Sequence, residues 1–251
     1  MKNAPIAVFD SGVGGISVLK EMVALLPNEN YLYFGDSANA PYGDKSTEQV
    51  RQLTLKAAEM LFDRGAKALV VACNTATSAA IHILRETYPD KIIIGIEPAL
   101  KVAADRFPTG YIGIMATAVT LQEEKLAHQL ERFPEAMVER IGAPGLVELV
   151  EQGKADSLET EELLRKILAP HVGKLDALVL GCTHYPFVKE ALSKILGERT
   201  LLLDGGAGTA RQTKRCLEHA DLLNPGPGSV TMENSANVPK MLELSGKLLE
   251  L

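Results

Sequence analysis

Short apolar runs alternate with amphipathic segments along most of this chain. The runs contain few alternating polar residues, which is typical of parallel strands whose two faces are both covered. The segments between them carry apolar residues at helical spacing, as Val50, Leu53, Ala57 and Leu61 do. The pattern therefore predicts an α/β protein, in which helices cover both faces of parallel sheets.

The predicted strands and helices follow one another in regular order. Strands are predicted at the two apolar runs that end in Cys73 and Cys182, and at residues 5–10, 31–35, 92–96, 111–116, 137–141, 200–204 and 229–233. One predicted helix begins at a cap formed by Ser46 or Thr47, and others occupy residues 78–88, 120–132, 209–222 and 239–249.

Two of the apolar runs share one sequence frame. Residues 68–75 read A-L-V-V-A-C-N-T, and residues 177–184 read A-L-V-L-G-C-T-H. We interpret them as equivalent strands of two related halves, each ending in a cysteine. Parallel α/β folds bind ligands beyond the carboxyl ends of their strands, and Asp10 and Thr117 also lie at the ends of predicted strands. If the halves pack about a pseudo-twofold axis, Cys73 and Cys182 face each other across the cleft.

A proline- and glycine-rich break precedes the last predicted strand and helix. Residues 225–228 read P-G-P-G, and we expect the segment beyond them to fold back onto the first half. The sequence thus predicts two pseudo-symmetric parallel-sheet α/β domains with the active site in the cleft between them. The first domain is predicted to comprise residues 1–97 and 208–251, and the second residues 98–207.

The charge balance and the cysteine count exclude several classes of function. The net charge is −6 and no cluster of Lys or Arg stands out, which argues against a nucleic-acid or membrane partner. The first apolar run ends at Asp10, and no run approaches the roughly 20 residues that span a bilayer, so we expect a cytoplasmic protein. The three cysteines and five histidines lack metal-ligand spacing, so we expect no metal site.

Two facing cysteines suit one chemical task, which is the inversion of a carbon centre. One thiolate removes a proton and the other thiol returns a proton to the opposite face. Thiols fit this task because their reference pKa of about 8.5 leaves both forms accessible near neutral pH. A helix start after each cysteine would favour the thiolate, and Asp10 and His184 would each assist one cysteine. The side chains expected to donate to a substrate carboxylate at these helix starts are Asn74, Thr75, Thr183 and His184.

Each of these residues also has a structural interpretation. A single buried cysteine is usually a small apolar side chain, and Cys216 on a predicted helix fits that description. Asp10 could cap the following helix, and the glycine-rich turn after it could hold a phosphate, although no Gly-Lys-Ser/Thr follows. His184 could be a structural hydrogen-bonding residue, and Tyr42 a surface aromatic in a loop. The matched positions of the other two cysteines favour catalysis.

The combination of motifs resembles the glutamate racemase family, within the wider aspartate/glutamate racemase group. The resemblance covers about residues 6–210, and the tail beyond about residue 222 matches only in general pattern. Its motifs are D-S-G-V-G-G at 10–15, P-Y-G at 41–43, C-N-T-A at 73–76 and G-C-T-H-Y-P at 181–186, with support at 95–99, 116–117 and 144–151. At 204–206 the chain reads D-G-G, where the family usually has Asp followed by Ser or another small residue.

The resemblance implies a cofactor-independent racemase that interconverts L- and D-glutamate and supplies D-glutamate for peptidoglycan synthesis. It implies that Cys73 deprotonates D-glutamate and Cys182 deprotonates L-glutamate, with Asp10 and His184 as the other catalytic residues. The substrate-binding residues that it implies are Asp10, Ser11, Pro41, Tyr42, Gly43, Asn74, Thr75, Thr117, Thr183 and His184. Family members are often dimers, so we expect a homodimer.

Two other functions stay open at this stage. A sister enzyme with the same cysteine pair, such as an aspartate or hydantoin racemase or a maleate isomerase, would share the chemistry and differ in substrate. A non-catalytic binder of small dicarboxylates would use the same cleft. Some family members carry an N-terminal extension linked to activation by a cell-wall precursor. Because the first predicted strand begins at residue 5, we expect no such dependence.

Overall fold

The computed structural model describes residues 1–122, 124–236 and 239–250, with the side chains of residues 124 and 125 left out of the description. The chain divides into two compact units, Met1–Glu97 with Gly206–Leu251, and Pro98–Gly205. That these units are domains, with boundaries predicted after residues 97 and 207, stays a prediction. Within the described ranges, no helix has the length and apolar character needed to cross a bilayer.

The strands and helices alternate along the chain, as the hydrophobic pattern predicts. The strands are β1 (Ile6–Asp10), β2 (Asn30–Gly35), β3 (Ala68–Val71), β4 (Ile92–Gly95), β5 (Tyr111–Ala116), β6 (Met137–Gly142), β7 (Ala177–Leu180), β8 (Leu201–Asp204) and β9 (Ser229–Asn234). The helices are α1 (Ile16–Leu25), α2 (Thr47–Asp63), α3 (Asn74–Thr87), α4 (Leu100–Arg106), α5 (Ala118–Gln122), α6 (Glu124–Leu130), α7 (Leu146–Glu151), α8 (Leu158–Leu168), α9 (Lys189–Leu196), α10 (Gly206–His219) and α11 (Pro239–Glu250).

The first unit is built on a parallel sheet with the strand order β4-β3-β1-β2-β9. The residues of β1 and β3 are all buried, because helices cover both faces of these central strands. The tail strand β9 pairs with β2 at the sheet edge, from Asn30 opposite Ser229 to Gly35 opposite Asn234. The tail therefore folds back onto the first half, as the sequence predicts.

The second unit is built on a parallel sheet with the strand order β6-β5-β7-β8. The two sheets have matching topology. Strand β3 lies between β1 and β4, and β7 lies between β5 and β8. The two strands of the shared A-L-V frame thus hold equivalent positions, and each is followed within two residues by its cysteine, Cys73 or Cys182.

Polar contacts stabilise two parts of the first unit, which are the start of α2 and the amino edge of its sheet. Helix α2 begins with a capping box, in which the side chains of Ser46 and Gln49 each accept from the other's backbone N–H, so the predicted cap at Ser46 is confirmed. At the amino edge of the sheet, a buried ion pair joins Lys67 Nζ to Glu29 Oε2 over 2.5 Å. The second oxygen of Glu29 accepts from the backbone N–H of Asn224, which ties the returning tail to this edge.

Four helices differ from their predicted bounds, and the one predicted at 209–222 is α10, which begins and ends three residues earlier. Helix α3 begins at Asn74, not near residue 78, because its small polar first turn is packed and buried, which composition alone does not reveal. The chain after Cys182 first forms a 3-10 turn, Tyr185–Val188, and α9 begins only at Lys189. Pro186 explains this, since proline lacks an N–H and disfavours α conformation in the residue before it. The helix predicted at 120–132 corresponds to α5 and α6, and residue 123 lies outside the described residues.

Candidate active site

Asp10 ends β1 at the carboxyl edge of the first sheet and is fully buried. Its Oδ1 accepts a hydrogen bond of 2.8 Å from the backbone N–H of Gly12. The N-cap of α1 is Gly15, which receives no side-chain bond, so Asp10 does not cap that helix. A Cβ at Gly15 would lie 2.6 Å from Asp10 Cβ. Glycine is thus required at position 15 because the turn packs directly against Asp10.

Cys73 follows β3 and is the N-cap residue of α3. Its Sγ accepts from the backbone N–H of Ala76 over 3.4 Å, and lies 3.4 Å from Ser11 Oγ. The amino end of a helix carries partial positive charge, which favours negative charge on this sulfur. The first helical residues, Asn74 and Thr75, are buried beside it. The side-chain oxygen Oδ1 of Asn74 is buried and has no hydrogen-bond partner, as expected of an atom that meets a ligand.

Tyr42 is buried in the loop between β2 and α2, and is not a surface aromatic. Its hydroxyl donates to Asp36 Oδ2 over 2.7 Å. Burial first, and then the hydrogen bond to Asp36, raises the pKa of the Tyr42 phenol far above its ordinary range, so it stays neutral. Pro41 and Gly43 flank Tyr42 and are half-buried. Sequence reasoning did not identify Asp36 as a site residue; it directly follows β2, whose last residue, Gly35, pairs with Asp10.

Cys182 follows β7 in the second unit, and its surroundings contain a buried histidine. His184 Nδ1 lies 3.7 Å from Cys182 Sγ, and His184 Nε2 lies 2.7 Å from Glu151 Oε1. Glu151 is the last residue of α7 and is mostly buried. Sequence reasoning included Glu151 only within a supporting motif and assigned it no role. The structure thus joins a thiol, an imidazole and a carboxylate in one chain of contacts.

The charge state of His184 follows from these neighbours. Burial alone would lower its pKa, but the hydrogen bonds to Cys182 and Glu151 and the charges on both raise it well above its ordinary value. The imidazole therefore favours its protonated form, which can stabilise a thiolate at Cys182 or return a proton to it. Burial, followed by the charges of Cys182 and Glu148, also raises the pKa of the neighbouring Tyr185 phenol.

Two further predicted site residues lie at the carboxyl edge of the second sheet. Thr117 follows β5, and its Oγ1 accepts from the backbone N–H of Thr120, so it caps α5. Thr183 lies buried between Cys182 and His184. The predicted residues therefore form one group in each unit, around Cys73 and around Cys182. Among the described residues, no group of His, Cys, Asp and Glu side chains has the arrangement of a metal site.

Comparison with known proteins identifies the sequence family. The sequence profile described as Asp/Glu/Hydantoin racemase matches residues 6–213. A glutamate racemase of Clostridium perfringens is 47% identical, over 100% of this chain and 98% of the relative. The similarity therefore extends through both compact units and both cysteine strands.

Solved structures agree with this similarity. Glutamate racemase from Francisella tularensis in complex with D-glutamate has a TM-score of 0.86 and 29% identity, covering 100% of this chain and 95% of that one. Escherichia coli glutamate racemase in complex with L-glutamate and the activator UDP-MurNAc-ala has a TM-score of 0.84 and 34% identity, covering 98% of this chain and 92% of that one. The two-sheet α/β fold is thus shared with proteins solved with either enantiomer of glutamate.

Proposed function

Because this chain belongs to the Asp/Glu/Hydantoin racemase family, we propose that it is a cofactor-independent glutamate racemase in which Cys73 and Cys182 are the two bases. The observation that carries the proposal is the matched pair of thiols at the ends of two topologically equivalent strands. Each thiol lies among groups that stabilise a thiolate or move a proton. For Cys73 these are the start of α3 and the hydroxyl of Ser11, and for Cys182 the imidazole of His184.

The proposed reaction moves one proton off the α-carbon and another onto it. Starting from D-glutamate, the Cys73 thiolate takes the α-proton, and the electron pair of the broken C–H bond remains on the α-carbon as a carbanion. The Cys182 thiol then donates its proton to the opposite face, which yields L-glutamate, a Cys73 thiol and a Cys182 thiolate. Starting from L-glutamate, the roles reverse. Each turnover inverts the protonation of the pair, and proton exchange with water resets it.

His184 and Asp10 are proposed to assist the proton transfers at Cys182 and Cys73. The raised pKa of His184 keeps the imidazole protonated, so it stabilises the Cys182 thiolate left after proton donation. Glu151 stabilises that imidazolium through its contact with Nε2. Asp10 is buried at the end of β1 and is proposed to face the substrate ammonium or to assist Cys73.

Glutamate is the proposed substrate because the curated relatives at 47% identity and the neighbours solved with D- and L-glutamate are glutamate racemases. The unpartnered side-chain oxygen Oδ1 of Asn74 supports a ligand with hydrogen-bond donors, such as an ammonium group. The remaining proposed contacts are grouped by the part of the substrate that each residue binds. The α-carboxylate is assigned to Asn74, Thr75 and Thr183, and the side-chain carboxylate to the backbone N–H groups around Gly43 in the Pro41-Tyr42-Gly43 loop. Ser11 and Thr117 are proposed to line the substrate.

The first experiment is proton NMR of L-glutamate with the purified protein in deuterated water, without added cofactor. We expect loss of the α-proton signal together with appearance of D-glutamate. Exchange with aspartate or a hydantoin, but not with glutamate, would keep the two-base chemistry and change the substrate. No exchange with any of them would support the dicarboxylate binder.

Cysteine variants test which residues carry the reaction. Cys73→Ser and Cys182→Ser should each reduce racemisation by orders of magnitude, because a serine hydroxyl is a far weaker acid than a thiol. Cys216→Ser is the matched control, since Cys216 lies on α10 in neither site group, and its activity should equal that of the unaltered protein. Full activity in either of the first two variants would overturn the two-base assignment.

The cellular role is proposed on the same basis. The Escherichia coli relative was solved with UDP-MurNAc-ala as an activator, which links that enzyme to muramic-acid chemistry. We propose that this protein supplies D-glutamate for peptidoglycan in the bacterial cytoplasm, as a homodimer. Rescue of a D-glutamate auxotroph tests the role, and sedimentation of the purified protein tests the dimer.

A further inference from the structure

The carboxyl end of the tail strand β9 is bonded to the loop that carries Asp36 and Tyr42. Asn234 Nδ2 donates to Ser37 Oγ over 2.8 Å. The backbone N–H of Ser235 donates to the carbonyl of Gly35 over 2.9 Å, and Ser235 Oγ accepts from the backbone N–H of Ala38 over 3.0 Å. Three hydrogen bonds thus join residues 234–235 to residues 35–38, nearly two hundred positions away in sequence.

The same loop segment determines where Tyr42 lies. The N–H of Asp36 donates to the carbonyl of Asp10, and its carboxylate accepts from Asn39 Nδ2 and from the Tyr42 hydroxyl. Asp36 therefore fixes both the start of the loop and the aromatic ring that precedes Gly43. A shift of residues 36–38 would move Tyr42 and Gly43 with them.

The tail itself is firmly held, so it can act as a support for the loop. Strand β9 pairs with β2 along its full length. Arg64 Nη1 and Nη2 also form a two-pronged ion pair with Glu233 Oε2 and Oε1, over 2.7 and 2.6 Å. Asn234 follows Glu233 directly, and its Oδ1 accepts from the N–H of Ala236, which fixes the side-chain amide. The donor that reaches Ser37 is therefore oriented before any ligand binds.

We infer that Asn234 is a positioning residue for substrate binding, because it holds the Asp36–Tyr42 loop in place from the C-terminal tail. The inference rests on the proposed function, in which that loop receives the side-chain carboxylate of glutamate. The loop contacts a part of the substrate that does not change during proton transfer. Its contribution is therefore the same in the ground state and in the transition state, and its loss raises KM with little change in kcat.

The test compares Asn234→Ala with a matched control on the same strand. Ser229 Oγ donates to Asn30 Oδ1 over 2.7 Å, so Ser229→Ala also removes one side-chain bond between β9 and β2, but at the end far from the loop. We expect Asn234→Ala to raise KM for glutamate by roughly two- to tenfold, the range for one lost hydrogen bond, with kcat within about twofold. Ser229→Ala should leave both constants unchanged.

Ser37, which accepts the hydrogen bond from Asn234, provides a second, independent variant. Ser37→Ala removes the same hydrogen bond from the loop side, and the Asn234→Ala/Ser37→Ala double variant should raise KM no further than the larger single effect. Additive effects, an unchanged KM in Asn234→Ala, or an equal rise in Ser229→Ala would each overturn the inference. If one single variant fails to fold, the other still decides between these outcomes.

A readout that does not depend on activity separates this inference from the proposed function. Hydrogen–deuterium exchange of the backbone amides of residues 36–45 should be faster in Asn234→Ala than in Ser229→Ala. Equal exchange in the two variants would refute the link between tail and loop, whatever the substrate. Faster exchange in a protein that does not racemise glutamate would keep the link and reject the proposed function.

Discussion

The two cysteines closely follow equivalent strands, but the groups around their sulfur atoms differ. Cys73 caps α3, a helix of 14 residues, and its neighbours are a backbone N–H and the hydroxyl of Ser11. Cys182 is followed by a short 3-10 turn and instead contacts His184, which Glu151 holds. Backbone dipoles and a hydroxyl lie beside one sulfur, and a titratable histidine held by a carboxylate lies beside the other. Similar strand positions therefore do not imply similar surroundings for the two thiols.

The difference between the two cysteines should appear in isotope exchange, and not as unequal values of kcat/KM in the two directions of racemisation. L- and D-glutamate have equal free energy in water, so kcat/KM must be the same in both directions for every active variant. A variant weakened at one cysteine still allows the other cysteine to remove its proton and return a solvent deuteron to the same face. The ratio of α-proton exchange to inversion, measured from each enantiomer, thus reports which side was weakened.

Among variants that keep both cysteines, the largest effect is expected from His184→Asn, which removes the group that titrates beside Cys182. General acid–base groups contribute about 10²- to 10⁴-fold, so racemisation should fall by this range. Starting from D-glutamate, exchange without inversion should become prominent, because Cys73 is unaffected. Proton NMR in deuterated water with each enantiomer measures both rates. Exchange without inversion from L-glutamate instead would reverse our assignment of the two faces.

Glu151→Gln keeps a hydrogen-bond acceptor beside His184 but removes the charge. The pKa of His184 should fall, and racemisation should fall by about 10- to 100-fold, which is less than for His184→Asn because the imidazole itself remains beside Cys182. A raised folded-state pKa adds stability that is complete below the ordinary histidine pKa and is lost as pH rises through the raised value. In Glu151→Gln that loss should occur at lower pH. Carbon-13 NMR of the histidine ring and urea unfolding across pH measure both shifts, and an unchanged His184 titration would contradict them.

Asn74→Ala tests whether the Asn74 side chain, next to Cys73, contributes to ligand binding or to protein stability. The Asn74 oxygen has no partner in the described structure, so its removal should leave the free energy of unfolding unchanged or raise it. The kcat/KM for glutamate should nevertheless fall by about tenfold, the value of one hydrogen bond to a charged group. Denaturant unfolding and initial rates measure the two quantities. A clear loss of stability with normal kinetics would make Asn74 a structural residue.

Ser11→Ala should have the smallest effect. The Ser11 hydroxyl lies 3.4 Å from Cys73 Sγ, while the helix start remains in place without it. We expect racemisation to fall by only about two- to tenfold, the range for one modest hydrogen bond. Exchange without inversion should increase from L-glutamate, which is the opposite of the effect of His184→Asn. A loss as large as that of His184→Asn would show that the two sulfurs depend equally on their side-chain neighbours.

Local patterns predicted the carboxyl ends of the strands to within two residues and the helix starts less well. The apolar runs before Asp10, Cys73 and Cys182 predict buried strands, because a chain buried on both faces has few polar residues. The predicted start of α3, residue 78, lies four residues after the observed start, because Asn, Thr and Ser commonly mark loops. Here this polar turn is buried against the core. The helix expected directly after Cys182 is displaced by Pro186, a signal that was present in the sequence.

The sequence by itself determined the α/β class, the two strands that are each followed by a cysteine, and the family motifs. These follow from the hydrophobic period and from short motifs, which are local properties of a chain. Only the tertiary structure paired Asp36 with Tyr42, Glu151 with His184, and Asn234 with Ser37. The last two pairs join residues 33 and 197 positions apart, and no local pattern encodes which polar side chain meets which. Such contacts depend on where the folded strands end, and here they hold the histidine beside Cys182 and the loop proposed to bind substrate.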